Sequence, residues 1–303
     1  MEEKDTDIEK EEDMSKINEL IVISGKGGTG KTTIVSAFAS LAKNKIMADC
    51  DVDAADLHLI MNPEIRHREN FIGGTRAVLN QDKCIKCGKC IELCRFDAIK
   101  DDFCIEEPYC EGCSVCSYFC PVKAITMEDS ISGEIFISDT RFGPFVHAKL
   151  GIAQENSGKL VTEVRKKAKK LAEENKFNLI IIDGSPGTGC PVIASLAGAT
   201  SVLIVTEPTL SGIHDMKRVV ELSKNFSINP SVCINKYDIN IELSKKIEDY
   251  CMKNSVDFYG RLPYDENTTK AMVARKTIIE YSSGEFSNSI KGIWIKLEEK
   301  LEI

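Results

Sequence analysis

Leu20-Ile21-Val22-Ile23-Ser24-Gly25-Lys26-Gly27-Gly28-Thr29-Gly30-Lys31-Thr32-Thr33 is the stretch that decides the fold. Leu20–Ser24 reads as a short buried strand, and the run from Ile34 to Lys43 reads as a helix. A glycine-rich turn between a strand and a helix N-terminus is a phosphate-binding loop in its required setting. The glycines let backbone N–H groups close around phosphate oxygens, and the helix end adds positive partial charge. Lys31 supplies a countercharge for β- and γ-phosphates, while the Thr32 hydroxyl is placed to ligate Mg2+. Gly25, Lys26, Gly27, Gly28, Thr29, Gly30, Lys31, Thr32 and Thr33 are therefore the candidate nucleotide-binding residues.

Outward from this loop, strand-like apolar runs recur with helical segments between them: Ile46–Asp49, Leu179–Asp183, Ser201–Thr206 and Val232–Asn235. That alternation predicts an α/β fold built on a doubly wound, mainly parallel sheet. Two of these strands end in carboxylates. Asp49-Cys50-Asp51-Val52-Asp53-Ala54-Ala55-Asp56 stands where an open α/β sheet places its ligand. Asp183 ends the other strand, poised for the Mg2+ shell. Asp53 and Asp56 read as solvated loop acids.

Residues 71–137 interrupt the pattern with short apolar pieces, turns and cysteines. Cys84-x2-Cys87-x2-Cys90-x3-Cys94 and Cys110-x2-Cys113-x2-Cys116-x3-Cys120-Pro121 both match the bacterial ferredoxin spacing. In that arrangement three close thiolates hold one [4Fe-4S] cube and the fourth reaches across to the other. The expected ligand sets are Cys84, Cys87, Cys90 and Cys120 for one cluster, and Cys110, Cys113, Cys116 and Cys94 for the second. Zinc sites use paired cysteines or Cys/His sets rather than two four-cysteine runs. Arg95 follows the first run where proline follows the second, so only the second run carries the full spacing with its proline. A small α+β ferredoxin-like domain (71–137) is thus expected within a P-loop domain made of 18–70 and 138–303.

Lys26 makes the loop more specific, because an ordinary phosphate loop has no need of a lysine there. Lys26–Thr33 resembles the deviant Walker A loop of the MinD/Mrp and nitrogenase iron-protein superfamily of P-loop ATPases. The resemblance implies a homodimer with ATP, in which Lys26 crosses to the other subunit's nucleotide. It also implies that Asp51 orients the attacking water, with Asp49 near the metal. Catalysis would then rest on Lys26, Lys31 and Asp51, and the Mg2+ shell on Thr32, Asp49 and Asp183. Gly184-Ser185-Pro186-Gly187-Thr188-Gly189-Cys190-Pro191 is similar to the family's second switch. Ile234-Asn235-Lys236-Tyr237-Asp238 resembles its adenine-recognition segment, with the Asn235 amide on the base. Gly260-Arg261-Leu262-Pro263-Tyr264 resembles the later nucleotide-edge loop, which brings in Pro263. The nitrogenase iron protein places a bridging-cluster cysteine at the offset of Cys190 from Asp183. The plainer role for Cys190 is a small buried thiol. His147, in the segment returning from the insert, is expected to be packed rather than catalytic.

The net charge of −8 lies mostly in residues 1–13, with eight acidic and two basic side chains. Residues 1–17 are expected to be an acidic disordered tail. Without a basic face, no nucleic-acid partner is expected. No run approaches the roughly 20 apolar residues of a membrane span, and no signal-peptide pattern opens the chain. Eight of 13 cysteines belong to the two runs, and the others are scattered as in a reducing, cytoplasmic protein. The expectation is an ATPase coupling nucleotide state to electron transfer, with ATP, Mg2+ and two [4Fe-4S] clusters as cofactors. Its partner would be a redox or metalloprotein, for reductive activation or maturation. An alternative is an iron–sulfur assembly or carrier ATPase of the Mrp type, but Cys233 and Cys251 lack the paired spacing that role uses. A third, membrane-positioning role would need a basic amphipathic C-terminal helix. The stripe Ile290, Ile293, Trp294, Leu297 and Leu301 reads instead as core-packed.

Overall fold

The computed structural model describes residues 17–151 and 157–303, so all but one residue of the expected acidic tail lies outside the described residues. The strands are β1 (Asn18–Ser24), β2 (Lys45–Asp49), β3 (Glu64–Leu79), β4 (Ile125–Thr140) and β5 (Gly143–Leu150). β6 (Leu179–Pro186), β7 (Ser201–Thr206), β8 (Ser231–Asn235) and β9 (Asp257–Leu262) complete one sheet. Their order is β3-β4-β5-β2-β6-β1-β7-β8-β9. From β5 to β9 every neighbouring pair is parallel, and β3 and β4 are added antiparallel at one edge.

The five strands read from the sequence all lie in this parallel core. Their near-continuous apolar runs have a physical cause, since both faces of the sheet are covered. Side chains alternate between faces. Ile21, Ile23, Ile180 and Ile182 meet the helices Ser157–Asn175 and Leu210–Asn225 through Leu160, Val164, Met216 and Val220. Leu20, Val22, Leu179 and Ile181 meet Lys31–Leu41 and the C-terminal helix Glu285–Leu301. Ile290, Ile293, Trp294, Leu297 and Leu301 are buried in that second layer, with Trp294 and Phe38 ring centroids 5.1 Å apart. The C-terminal stripe is therefore core. No helix among the described residues is long and apolar enough to cross a membrane.

β3 and β4 were not anticipated as 16-residue strands. They pair from Glu64↔Asp139 to Leu79↔Ile125, whereas β4 pairs with β5 only from Gly133 onward. The outer half of the hairpin thus leaves the sheet as a two-stranded ribbon. Register shifts on either side of Ile72 mark the departure, as bulges do when they bend and twist a strand. Residues 80–124, with all eight run cysteines, hang from the ribbon's end. The divides expected at 70/71 and 137/138 fall inside these two strands.

Candidate functional site

The loop leaves the buried end of β1 at Ser24 and enters the helix at Lys31. Gly30 has φ 87°, and a Cβ there would sit 2.4 Å from Asn235 Nδ2, so glycine is required on both counts. A cleft of about 520 Å3 opens above the loop, lined by Gly27, Gly28, Gly30–Thr33, Asp51, Pro186, Asn235 and Pro263. Its far wall is Tyr264, Asp265, Thr268, Met272 and Phe286. Sequence reasoning missed Asp265, Thr268, Met272 and Phe286, which carry no motif and arrive only through the packing of the C-terminal segment. Asp56, expected to be a solvated acid, is exposed and also borders the cleft.

Two acids meet beneath the loop. β2 and β6 are adjacent and in register, which sets Asp49 opposite Asp183 at their C-terminal ends. Thr32 Oγ1 donates to Asp183 Oδ2 at 2.8 Å, and the Asp51 backbone N–H donates to Asp49 Oδ1 at 3.0 Å. Asp49 Oδ2 and Asp183 Oδ1 are buried without a hydrogen-bond partner among the described residues. Burial, and then each other's charge, pushes Asp49 well above the usual carboxylate range. Burial also raises Asp183, against the pull of Lys31 and the Thr32 hydroxyl. Two orphaned carboxylate oxygens beside a hydroxyl form an all-oxygen donor set, and this fits Mg2+. A cation there would supply the charge these acids lack. Lys31 is buried, with Nζ 3.5 Å from Asp51 Oδ2; burial raises Asp51 and this lysine opposes it.

Asn235 and Lys26 are engaged elsewhere than their family roles imply. Asn235 is buried; its Nδ2 donates to the Thr29 carbonyl at 2.9 Å, and its Oδ1 accepts from Lys236 N at 3.0 Å. Its amide braces the phosphate loop. Lys26 Nζ points out of the cleft, 3.4 Å from Thr209 Oγ1 and 3.7 Å from Glu207 Oε2. Glu207 is shared with Lys236, whose Nζ is 2.6 Å from the other carboxylate oxygen. Asp238 Oδ1 accepts from Tyr264 N at 2.8 Å and so ties the two late loops together.

Four of the eight run cysteines share one space. Cys94, Cys110, Cys113 and Cys116 line one cavity under Phe96, Ile99 and Ile105. Partial burial raises the Cys116 thiol, and Cys110, Cys113 and Cys94 add to it electrostatically; Cys84 and Cys87 stand in the same relation to Cys90. Gly112 has φ 63°, and a Cβ there would meet the Thr75 carbonyl at 2.1 Å, so the second run closes directly on the ribbon. Cys120 Sγ accepts from Ala124 N at 3.2 Å, and Asn80 N donates to Ala124 O at 2.8 Å. These bonds bring Cys120 back beside the start of the first run. Among the described residues no three ligand side chains converge on a single ion. The four thiols around the one cavity are a donor set of the kind a [4Fe-4S] cluster takes.

Residues 20–278 match the family described as CbiA, the CobQ/CobB/MinD/ParA nucleotide binding domain. The chain belongs to that family. As a CobQ/CobB/MinD/ParA domain it is similar to an uncharacterized protein of Methanocaldococcus jannaschii, 34% identical over 287 residues, covering 93% of this chain and 97% of the relative. Its fold is similar to septum site-determining protein MinD of Pyrococcus horikoshii, solved with Mg-ADP, with a TM-score of 0.58 and 15% identity. That likeness covers 93% of this chain and 96% of the other. A stretch of 64 residues is 44% identical to pyruvate synthase subunit PorD of Methanothermobacter marburgensis, 20% of this chain and 79% of that subunit. The cleft above Gly25–Thr33 is the candidate nucleotide site of this CobQ/CobB/MinD/ParA domain.

The remaining cysteines divide by burial. Cys233 and Cys251 are fully buried, and burial pushes their thiols up to about 12, which disfavours the free thiolate. Burial also pushes the Cys50 thiol up. Cys190, read most simply as a buried thiol, is exposed: it opens the helix Cys190–Leu196 where the second switch ends. His147 is packed as expected, its ring 4.6 Å from Phe145 and 5.0 Å from Phe136.

Proposed function

We propose that the protein is a dimeric ATPase that couples its nucleotide state to electron transfer through two [4Fe-4S] clusters. Lys31 holds the β- and γ-phosphates, Asp51 orients the attacking water, and Thr32, Asp49 and Asp183 form the Mg2+ shell. Asn235 and Pro263 border the base. Lys26 leaves Glu207 to reach the partner subunit's nucleotide. Residues 71–137 serve as the electron module, with Cys84, Cys87, Cys90 and Cys120 on one cluster and Cys110, Cys113, Cys116 and Cys94 on the other. The acceptor is a redox or metalloprotein that undergoes reductive activation or maturation.

One observation carries this reading. The loop after Asp51 runs into the helix Leu57–Met61, and β3 begins at Glu64. Arg141, in the turn between β4 and β5, donates to the Ile60 and Met61 carbonyls at 3.0 and 3.3 Å. It also grips Glu280 through two hydrogen bonds of 2.9 Å. The nucleotide-facing loop and the cysteine-bearing ribbon are therefore mechanically joined through a short helix, a two-residue link and one guanidinium. A shift of the loop with the γ-phosphate would move the ribbon's base.

The test uses anaerobically purified protein. Iron and sulfide should reach about eight each per chain. Electron transfer from the dithionite-reduced protein to an artificial acceptor should differ between ATP, ADP and nucleotide-free states. Sedimentation should give an ATP-dependent dimer that Lys26→Ala weakens. Identical transfer rates in all three states would overturn the coupling.

A further inference from the structure

We propose that the first-run end of the cysteine unit is a docking face for an acidic redox protein. This rests on the cluster reading above and names the partner's chemistry. Lys83 lies just before the first run, Lys86 and Lys89 lie within it, and Lys123 lies just after Cys120. All four are exposed, and none forms an ion pair among the described residues. Lys83 N donates to Asn80 Oδ1 at 3.2 Å, and Asn80 N donates to the Ala124 carbonyl at 2.8 Å. Those bonds set Lys83 and Lys123 on the same end of the unit although 40 residues separate them in sequence.

Exposed apolar side chains neighbour the same cysteines, Cys84 and Cys120, in sequence. Tyr118 is 83% exposed, with its ring edge-on to Phe119 at 5.0 Å, and Ile85 is 61% exposed. Val122, beside Cys120, is exposed as well. Single exposed apolar residues need no explanation, but aromatic and aliphatic groups gathered within a charged rim have the anatomy of an interface. Charge elsewhere in the unit has the other sign. Asp97, Asp101, Asp102, Glu106, Glu107 and Glu111 outnumber Arg95 and Lys100 in their segment, and two of them are already paired, Glu106 with Lys100 and Glu107 with Arg76. At the first-run end Lys83, Lys86, Lys89 and Lys123 outnumber Asp82 and Glu92, so the net side-chain charge around Cys84, Cys87 and Cys120 is positive, and Cys87 is itself exposed. Such a field steers an acidic partner toward that cluster and turns away a basic one.

The experiment follows reoxidation of the dithionite-reduced, iron-loaded full chain by two probes, an acidic flavodoxin and a basic cytochrome c. Each event moves one electron from a reduced cluster to the probe. At low salt the flavodoxin rate constant should be high and should fall roughly 10- to 1,000-fold in high salt, the range of electrostatic steering. Reversing Lys83, Lys86, Lys89 and Lys123 to glutamate should cause a similar loss while speeding cytochrome c. Tyr118→Ser, which changes no charge, should slow flavodoxin at every salt concentration. If the reversal disturbs iron content, the corresponding glutamine variant gives the same test with half the charge change. An iron-loaded variant that reacts with flavodoxin at the parental rate overturns the docking face alone. A parent chain that holds no iron overturns the cluster reading and this inference with it.

Discussion

Asn235→Ala separates two roles that one side chain has been given. In the structure its Nδ2 donates to the Thr29 carbonyl at 2.9 Å in a buried bond, and its Oδ1 accepts from Lys236 N in a half-buried one. Alanine leaves the Thr29 acceptor without a partner, at a cost of about 1–3 kcal/mol for an unsatisfied buried group. If nucleotide binding must restore the loop, dissociation constants should rise roughly five- to 150-fold, at 1.4 kcal/mol per factor of ten. A brace acts on the phosphate cradle, so the loss should be equal for ATP, GTP and inorganic triphosphate, which has no base. Adenine recognition would weaken ATP alone. Calorimetric titration of parent and variant with the three ligands measures this, with a denaturant midpoint as the stability control. Selective loss of ATP affinity, with triphosphate binding unchanged, would refute the bracing argument.

Lys31→Ala should abolish Mg2+-dependent ATP hydrolysis, since it removes the buried countercharge of the cleft. Asp51→Ala should slow hydrolysis while leaving binding intact or tighter, because Asp51 Oδ2 lies 3.5 Å from the same lysine; parental turnover in this variant would remove Asp51 from water positioning. Cys94→Ser should damage the cluster held by Cys110, Cys113 and Cys116, and EPR or Mössbauer spectra losing only the first-run signal would contradict the crossed ligation. His147 is held near 4 by burial and by His58, below its ordinary 6.5. Its unfolded form therefore binds the extra proton between those values. Its contribution is complete above 6.5 and shrinks as pH falls, by about 2 kcal/mol at pH 5. Urea midpoints at pH 7 and 5 should show that slope in the parent and a shallower one in His147→Gln.

Local rules were enough for the parallel core and for locating the phosphate loop and the two cysteine runs. A strand, a glycine turn and a helix fix Gly25–Thr33 within a dozen residues, and cluster ligands obey a short spacing rule, so both are written in neighbouring positions. The five strands announced themselves because both sheet faces are buried and each run had to be apolar throughout. β3 and β4 did not, since Glu64–Leu79 is mostly exposed and alternates weakly, as a ribbon leaving the sheet must. β5 and β9 were also missed; their identity as strands depends on partners far away in sequence. Which side chains meet was decided only by the tertiary structure. The register of β2 against β6 sets Asp49 opposite Asp183, and the crossing of β8 over the loop turns Asn235 onto Thr29. Packing likewise buried Cys233 and exposed Cys190, two thiols that look alike as letters in a chain. Residue type supplies the chemistry, but burial and distance decide which groups remain free to use it.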